Sequence, residues 1–413
     1  MSAELAAHPE DAPGDVVKRL FPNSKQAASS EHHHHQGSRT AATAEDLERA
    51  YECGRWGAAQ PSRLFLQAFA DALNCLDADP MSGMVSPALM GSHGTIPLTV
   101  IAPLADVIRH VSNLIVRAEK EVFFITCSWS ASVAQRLVSE ALIELSRRAG
   151  RRKQRVVVKM MYDKAGPKNF MDSHQVVKQE AYTAKGIQLP SLAEIPNLDF
   201  EVISLHKPML GTLHAKFCVV DRKVAAVMSN NMEDNANMEM MSHLEGPIVD
   251  SIYDTALITW NNRLHPTLPS HAATAAGGGV PTSTLEPLYT QRGQGYEQQE
   301  IADAGQTVRL PEHMPGDPHY DEDLDGEILR MQSCYSAKPG ESHLEAANRQ
   351  LNLACPKPIQ ASGPAIQPGH EFTPYISSQT AQPIPMALVS RPPYGPVKHS
   401  NINVPQNLSL IHI

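Results

Sequence analysis

The sequence predicts an α/β fold in which a mixed β-sheet is sandwiched between helices. A helical stripe of apolar residues at about 104–115 is followed by a continuous apolar run at 122–126. Such a run is typical of a strand buried on both faces. A second helix is predicted over about 131–149 and a second strand over 155–161. This β-α-β succession favours neighbouring strands with helices covering the sheet.

Two segments precede this core. Residues 1–42 are predicted to form a disordered tail, and the histidine run at 32–35 within it is typical of a solvated low-complexity stretch. Residues 43–91 are predicted to be helical. Thr43 and Asp46 have capping-box spacing, and Ser62 is placed to cap a second helix with an apolar face.

The core domain is predicted to span 92–265 and to close with a helix near 249–264. Residues 266–320 are rich in Pro and Gly, which predicts a linker. Residues 321–355 are acidic and helical. Their carboxylates leave open a metal site, but a solvated acidic helix start is favoured. Residues 356–413 are predicted to be a Pro-rich lead-in to a missing second half.

Composition limits the classes of function. The net charge of −9 over 413 residues carries no general nucleic-acid signature. The six cysteines lack CxxC pairing and are read as reduced thiols, with Cys127 and Cys218 inside apolar strand-like runs. No apolar run approaches the ~18 residues of a membrane span, and no secretory signal is recognised. An intracellular location is expected, either cytoplasmic or peripheral to a membrane.

The most informative pattern is H-x-K-x4-D, formed by His214, Lys216 and Asp221. On a strand, residues two apart point to the same face, so the imidazole and the ammonium are expected to project together. The polar turn at 221–223 reverses the chain. Asp221 has the opposite strand parity from His214, which favours a structural salt bridge or turn anchor for it.

A second strand-like run at 224–228 leads to Ser229 and Asn231, which are also two residues apart. An imidazole, an ammonium, a hydroxyl and a carboxamide are therefore expected to converge on one phosphate-sized spot. The alternative is a buried hairpin with a structural histidine.

These five positions resemble the motif of the phospholipase D superfamily, H-x-K-x4-D-x6-G-S-x-N, with Met228 in place of its usual glycine. The resemblance implies catalytic roles for His214, Lys216 and Asp221. It implies that His214 attacks phosphorus and forms a phosphohistidine without a cofactor or metal. Lys216, Ser229 and Asn231 would hold the phosphate oxygens.

The imidazole of His214 needs an acceptor on its other nitrogen. In the family a downstream acidic residue supplies it. Glu239 is the best candidate here, and Glu233 and Glu245 remain alternatives.

The family uses two such motifs, and a second H-x-K-x4-D is absent from this sequence. His206 is followed by Lys207 and Pro208 and does not have the required spacing. The sequence therefore predicts half an active site, completed by a homodimer or by a second half of a longer chain. Residues 408–413 resemble a translated sequencing adapter, so a truncated member of the long fungal phospholipase D-like proteins is expected.

The predicted function is phosphodiester hydrolysis or phosphatidyl transfer, with a phospholipid substrate favoured and transient membrane contact allowed. A nuclease-like phosphodiesterase and a silent half-domain that only binds phosphate are the alternatives. A basic cluster spans 147–155 and has two readings. It either contacts anionic headgroups or nucleic-acid phosphates, or it reflects a helix C-terminus rich in cations, which is favoured.

Overall fold

The computed structural model confirms the mixed α/β fold. It describes residues 1–22, 42–78, 80–164, 166, 172–206, 213–235, 237–273, scattered positions between 319 and 352, 376–377 and 382–390. The predicted histidine run at 32–35 and the adapter-like residues 408–413 lie outside these ranges.

One sheet runs through the described residues. Its strands are Gly91–Pro103 (β1), Glu121–Ile125 (β2), Val156–Tyr162 (β3), His174–Val176 (β4), Leu198–Leu205 (β5), Phe217–Val220 (β6), Val224–Met228 (β7), Met238–Glu245 (β8), Ile376–Ser377 (β9) and Ile384–Ala387 (β10). Their order is β10-β1-β8-β7-β6-β2-β3-β5-β4, with β9 paired to β1. The pairs β2–β3 and β3–β5 are parallel, whereas β6, β7 and β8 are antiparallel to their neighbours.

Helices cover both faces of this sheet, as predicted. The helices are Ser2–Ala7 (α1), Pro13–Leu20 (α2), Ala44–Cys53 (α3), Arg63–Ala78 (α4), Leu104–Val116 (α5), Val133–Arg152 (α6), Gln179–Tyr182 (α7) and Ile248–Trp260 (α8). All five residues of β2 are buried. Val122 and Phe124 face the core under α5 and α6, and Phe123 and Ile125 face the core under α8. Because β2 has apolar residues on both faces, its sequence is a continuous apolar run.

Residues 1–22 of the predicted disordered tail at 1–42 are folded, which corrects that prediction. Residues 1–22 contain α1 and α2, and Leu5 and Val16 are buried in the same core as α8. The backbone N–H of Gly14 donates to the carbonyl of Asn261, beyond the end of α8. Both helices are too short to be stable alone, so their packing against α8 stabilises them. The predicted capping box at Thr43 and Asp46 is present at the start of α3.

The C-terminal boundaries also differ from prediction. Leu268 is buried in the α8 core, so the folded region continues past 265 into the predicted linker. Glu327 of the predicted acidic segment is fully buried and accepts from Nδ1 of His110 at 2.5 Å. Within the predicted Pro-rich lead-in, β10 pairs with β1. These segments add apolar and paired surface to the core, which their local composition does not reveal.

Candidate active site

Polar residues collect at one edge of the sheet, where β2, β3 and β5 end, β6 begins, β7 ends and β8 begins. Because β6 is antiparallel to β2, its first residues lie at the edge where β2 ends. In open α/β sheets this carboxyl edge is where ligands bind. The β6–β7 hairpin therefore places His214 at this edge and Asp221 at the opposite edge.

His214 and Lys216 lie in extended chain immediately before β6, not within a strand as predicted. They are nevertheless brought together, because Lys216 Nζ is 3.1 Å from Nε2 of His214. The imidazole is exposed at the edge, whereas the lysine side chain is buried. Lys216 Nζ also donates to the backbone carbonyl of His214 at 3.1 Å. An ammonium and an imidazole therefore share one small volume.

Desolvation disfavours the charged form of both groups, and the Lys216 ammonium adds repulsion at His214. Partial burial, and then the Lys216 ammonium, lower the pKa of the His214 imidazole. Burial lowers the pKa of Lys216, although nearby Glu239 and Glu233 favour its charged form. A neutral imidazole carries a lone pair on one ring nitrogen, which is the form that a nucleophile requires.

Ser229 and Asn231 follow β7 and lie at the same edge, as predicted. Ser229 Oγ donates to Glu239 at 2.5 Å, and Asn231 Nδ2 donates to Glu233 at 2.7 Å. Two of the three phosphate-binding candidates are thus held by two of the three acidic candidates. The expected contact of Glu239 with His214 is not among the hydrogen bonds of the described residues. Glu245 bonds His243, where it is buried in the core.

Met228, the departure from the family motif, is a core residue. Its side chain is buried under α5 and α6, and its backbone N–H donates to the carbonyl of Lys216 at 2.9 Å. By the register of the hairpin Met228 lies opposite Lys216, so the two side chains project from the same face of the sheet.

Asp221 has the turn-anchor geometry that its parity favoured. Its carboxylate accepts from the backbone N–H groups of Glu119, Lys120 and Glu121 at 2.8, 2.7 and 2.9 Å. It is buried and has a φ of 53°, which Asp tolerates better than most residues. This carboxylate joins the hairpin turn to the loop between α5 and β2, at the edge away from His214.

Sequence patterns did not single out three further residues at the edge. Asp163 follows β3, and its Oδ1 is 2.7 Å from Nδ1 of His206, which follows β5. Its Oδ2 accepts from the backbone N–H of Leu213 at 3.0 Å. Ser128, after β2, donates to Glu233 at 3.2 Å. Their positions after apolar strands are a signal that could have identified them.

Cys127, which the sequence placed in a buried strand, is half-buried just after β2, whereas Cys218 is buried as expected. No cluster of three or more His, Cys, Asp or Glu side chains in the described ranges is arranged to hold a metal ion. None of the helices described combines the length and apolar composition of a membrane span.

The basic cluster is largely occupied by internal contacts, which agrees with the favoured reading. Arg147 and Arg148 both pair with Glu144, Arg152 donates to the Ala118 carbonyl at 2.7 Å, and Arg155 pairs with Asp199. These contacts lie at the C-terminal end of α6 and the start of β3, away from the edge that holds His214.

No protein-family model and no curated protein matches the sequence. Among the solved structures that are similar to it are the following three. NucT from Helicobacter pylori is 15% identical, with a TM-score of 0.29, over 43% of this chain and 98% of NucT. Nuc from Salmonella typhimurium, a phospholipase D family member, is 17% identical, with a TM-score of 0.26, over 42% of this chain and 95% of Nuc. TrmBL2, an archaeal chromatin protein with a novel mode of DNA binding, is 12% identical, with a TM-score of 0.24, over 52% of this chain and 78% of TrmBL2. The resemblance of this chain to the phospholipase D superfamily lies in the motif at 214–231, which the mixed sheet places at one edge.

Proposed function

We propose that the protein is a phosphodiesterase of the phospholipase D type, working through a covalent intermediate on His214. The observation that carries this proposal is the 3.1 Å contact between Lys216 Nζ and His214 Nε2 at an open sheet edge. Ser229 and Asn231 lie at the end of the adjoining strand. Phosphoryl transfer through a covalent enzyme intermediate needs these groups: a nucleophile, a cation and two neutral donors.

In the first step Lys216 Nζ turns from Nε2 of His214 to the non-bridging oxygens, the Nε2 lone pair forms a bond to phosphorus, and the bond from phosphorus to the leaving oxygen breaks. In the second step a water oxygen attacks phosphorus and the phosphorus–nitrogen bond breaks, which returns the lone pair to His214. An alcohol in place of water gives phosphatidyl transfer. Lys216 stabilises the charge on the non-bridging oxygens in both steps.

Binding a phosphate requires Ser229 and Asn231 to turn from Glu239 and Glu233 toward the substrate. Ser229 Oγ and Asn231 Nδ2 donate in short hydrogen bonds of 2.5 and 2.7 Å, so both donors are held at the edge before substrate arrives. These hydrogen bonds must break before the donors bind phosphate, which offsets part of the binding free energy.

A phospholipid is the substrate that the surroundings favour. Met240 lies beside Ser229, because its backbone N–H donates to Ser229 Oγ at 2.9 Å, and its side chain is 52% exposed. Val227, diagonally across from it on β7, is also exposed. An apolar surface next to the phosphate site suits a lipid. The carboxylates of Glu233 and Glu239 disfavour a polyanion such as nucleic acid.

The experiment is to incubate the full chain with labelled phosphatidylcholine, phosphatidylglycerol, bis(p-nitrophenyl) phosphate and single-stranded DNA. After an acid-free quench, the protein is digested and searched for a phosphorylated histidine. We expect release of headgroup and modification of His214, and loss of both in His214→Ala. His8→Ala, which removes another exposed imidazole, is the matched control.

Retained turnover in His214→Ala would overturn the assignment of the nucleophile. Cleavage of DNA without cleavage of either lipid would assign the nuclease reading. Saturable phosphate binding with neither cleavage nor modification would assign the silent half-domain.

A further inference from the structure

We propose that His206 is the acid that protonates the leaving oxygen, and that Asp163 positions it. This inference rests on the proposed function and identifies a second catalytic imidazole within the same chain. The observation that supports it is that the Asp163 carboxylate contacts both His206 and the residue before His214. Asp163 Oδ1 is 2.7 Å from Nδ1 of His206, and Asp163 Oδ2 accepts at 3.0 Å from the backbone N–H of Leu213, the residue before His214.

Asp163 is fixed by the backbone of the sheet. Its N–H donates to the carbonyl of Cys127 at 2.7 Å, so the ends of β2 and β3 hold it from below. Strand β3, which Asp163 follows, lies between β6 and β5 in the sheet. The carboxylate of Asp163 therefore stands between the part of the edge that holds Lys216 and the part that holds His206.

His206 is held through its backbone and through one ring nitrogen. Its backbone N–H donates to the carbonyl of Ser173 at 3.0 Å, which ties the end of β5 to the residue before β4. Nδ1 faces Asp163, and the side chain keeps 20% of its surface exposed. Among the described residues, Nε2 of His206 has no hydrogen-bond partner. A substrate oxygen at this edge can therefore contact it.

Other histidines of the core differ in this respect. His174 is buried and bonds Ser173 through Nδ1 and the Thr259 carbonyl through Nε2. His243 is buried and bonds His110 through Nδ1 and Glu245 through Nε2. With both ring nitrogens engaged in protein contacts, these imidazoles have a structural role and no free nitrogen to offer a substrate.

The dyad completes the proton balance of the reaction. A proton on Nδ1 of His206 donates to the Asp163 carboxylate, which fixes the ring orientation. As the phosphorus–oxygen bond to the leaving group breaks, the proton on Nε2 of His206 passes to the leaving oxygen. In the second step Nε2, now unprotonated, takes a proton from the attacking water. The phosphorus–nitrogen bond to His214 breaks at the same time, and both imidazoles return to their starting states.

The test compares two phosphodiesters whose leaving groups differ in their need for a proton. An alkyl p-nitrobenzyl phosphodiester loses a basic alkoxide, whereas bis(p-nitrophenyl) phosphate loses a stable phenolate. In His206→Asn the amide nitrogen replaces Nδ1 as donor to Asp163, but no transferable proton remains. We expect roughly 10²-fold or greater loss with the alkoxide leaving group, as is usual for a general acid, and a change of only a few-fold with the phenolate. His206→Gln is the second variant, and His8→Asn is the control for loss of an exposed imidazole.

The positioning role of Asp163 is tested by a measurement that a purely structural role would leave unchanged. In Asp163→Asn the rate with the alkoxide leaving group should fall more than the rate with the phenolate, since His206 loses the acceptor that orients its ring. Asp163→Glu should recover part of the rate. Thermal unfolding of each variant shows that the fold is kept.

The outcomes separate the two proposals. Wild-type cleavage that depends on His214, with His206→Asn and His206→Gln as fast as wild type on the alkoxide substrate, would overturn the role of His206 and leave the proposed function standing. That result would return the acid to a second copy of the chain. Equal losses with both leaving groups would overturn proton donation as the role of His206. No cleavage that depends on His214 in the wild-type chain would overturn both proposals.

Discussion

Replacing Asp221 by alanine should damage the fold and spare the chemistry. The motif includes this residue, and the resemblance counts it with His214 and Lys216. Its carboxylate, however, accepts from three backbone N–H groups at the start of β2, at 2.7 to 2.9 Å. It lies at the far end of β6 from His214. Loss of this carboxylate leaves three amides of the loop before β2 without their acceptor.

The size of the effect follows from these contacts. A hydrogen bond to a charged group contributes about 1.5–3 kcal/mol, and bonds that share one carboxylate are not additive. Some of the exposed amides recover water, and alanine adds a cost at the φ of 53°. We expect Asp221→Ala to lower the free energy of unfolding by roughly 3–5 kcal/mol. For a domain of this size that corresponds to a fall in Tm on the order of 10 °C.

Calorimetry or urea titration measures the loss of stability, and activity per folded molecule is measured below the transition. Lys223→Ala is the matched control, because Lys223 lies in the same turn and is exposed. A drop of more than about tenfold in activity per folded molecule, with unfolding unchanged, would refute the structural reading and restore a catalytic role.

The remaining predictions concern the site and one buried acid. Lys216→Ala should reduce turnover by on the order of 10²-fold, as loss of an oxyanion donor does, and a rate near that of wild type would remove Lys216 from the mechanism. Because burial and Lys216 lower the pKa of His214, its neutral form persists into acidic solution. The acid limb of the kcat/KM profile should therefore lie below pH ~6.5, the ordinary histidine value, and a limb above it would contradict this. Turnover of a soluble diester should survive excess chelator, and loss that added metal reverses would show a different mechanism. Burial raises the pKa of Glu121 to about 7, above its unfolded value, so wild-type stability should fall as pH rises from about 4.5 through 7. Glu121→Gln should therefore be more stable than wild type at pH 8, by on the order of 3 kcal/mol, and similar to it near pH 4.5, as denaturant titrations at both pH values would show.

The sequence by itself determined the features that depend on nearby residues. The apolar runs predicted the buried strands β2 and β3 because a strand covered on both faces shows no alternation. The spacing of His214 and Lys216 predicted their contact, and the parity of Asp221 favoured a turn anchor. In each case the contact is decided within one hairpin or between strands whose patterns are strong.

Strand β1 was missed because its local signals point elsewhere. It contains Pro97, which lacks an N–H for the ladder, and its pairing with β8 shifts register between Thr95 and Leu98. The irregularity accommodates the proline, and pairing with β8, β9 and β10 makes the segment a strand. The helices α1 and α2 were missed for a similar reason, since their stability comes from α8.

Tertiary structure alone decided which polar groups share the edge with His214. Asp163 and His206 are 43 residues apart in sequence, and Asp163 and Leu213 are 50 apart. They meet because β3 and β5 are parallel neighbours that end at the same edge. The sequence around His206 does not indicate that contact. The partner of Glu239 likewise depends on how β7 and β8 align, and this alignment joins it to Ser229. Local spacing encodes geometry within a hairpin, whereas strand order and register, which arise from packing the whole core, determine the rest of the site.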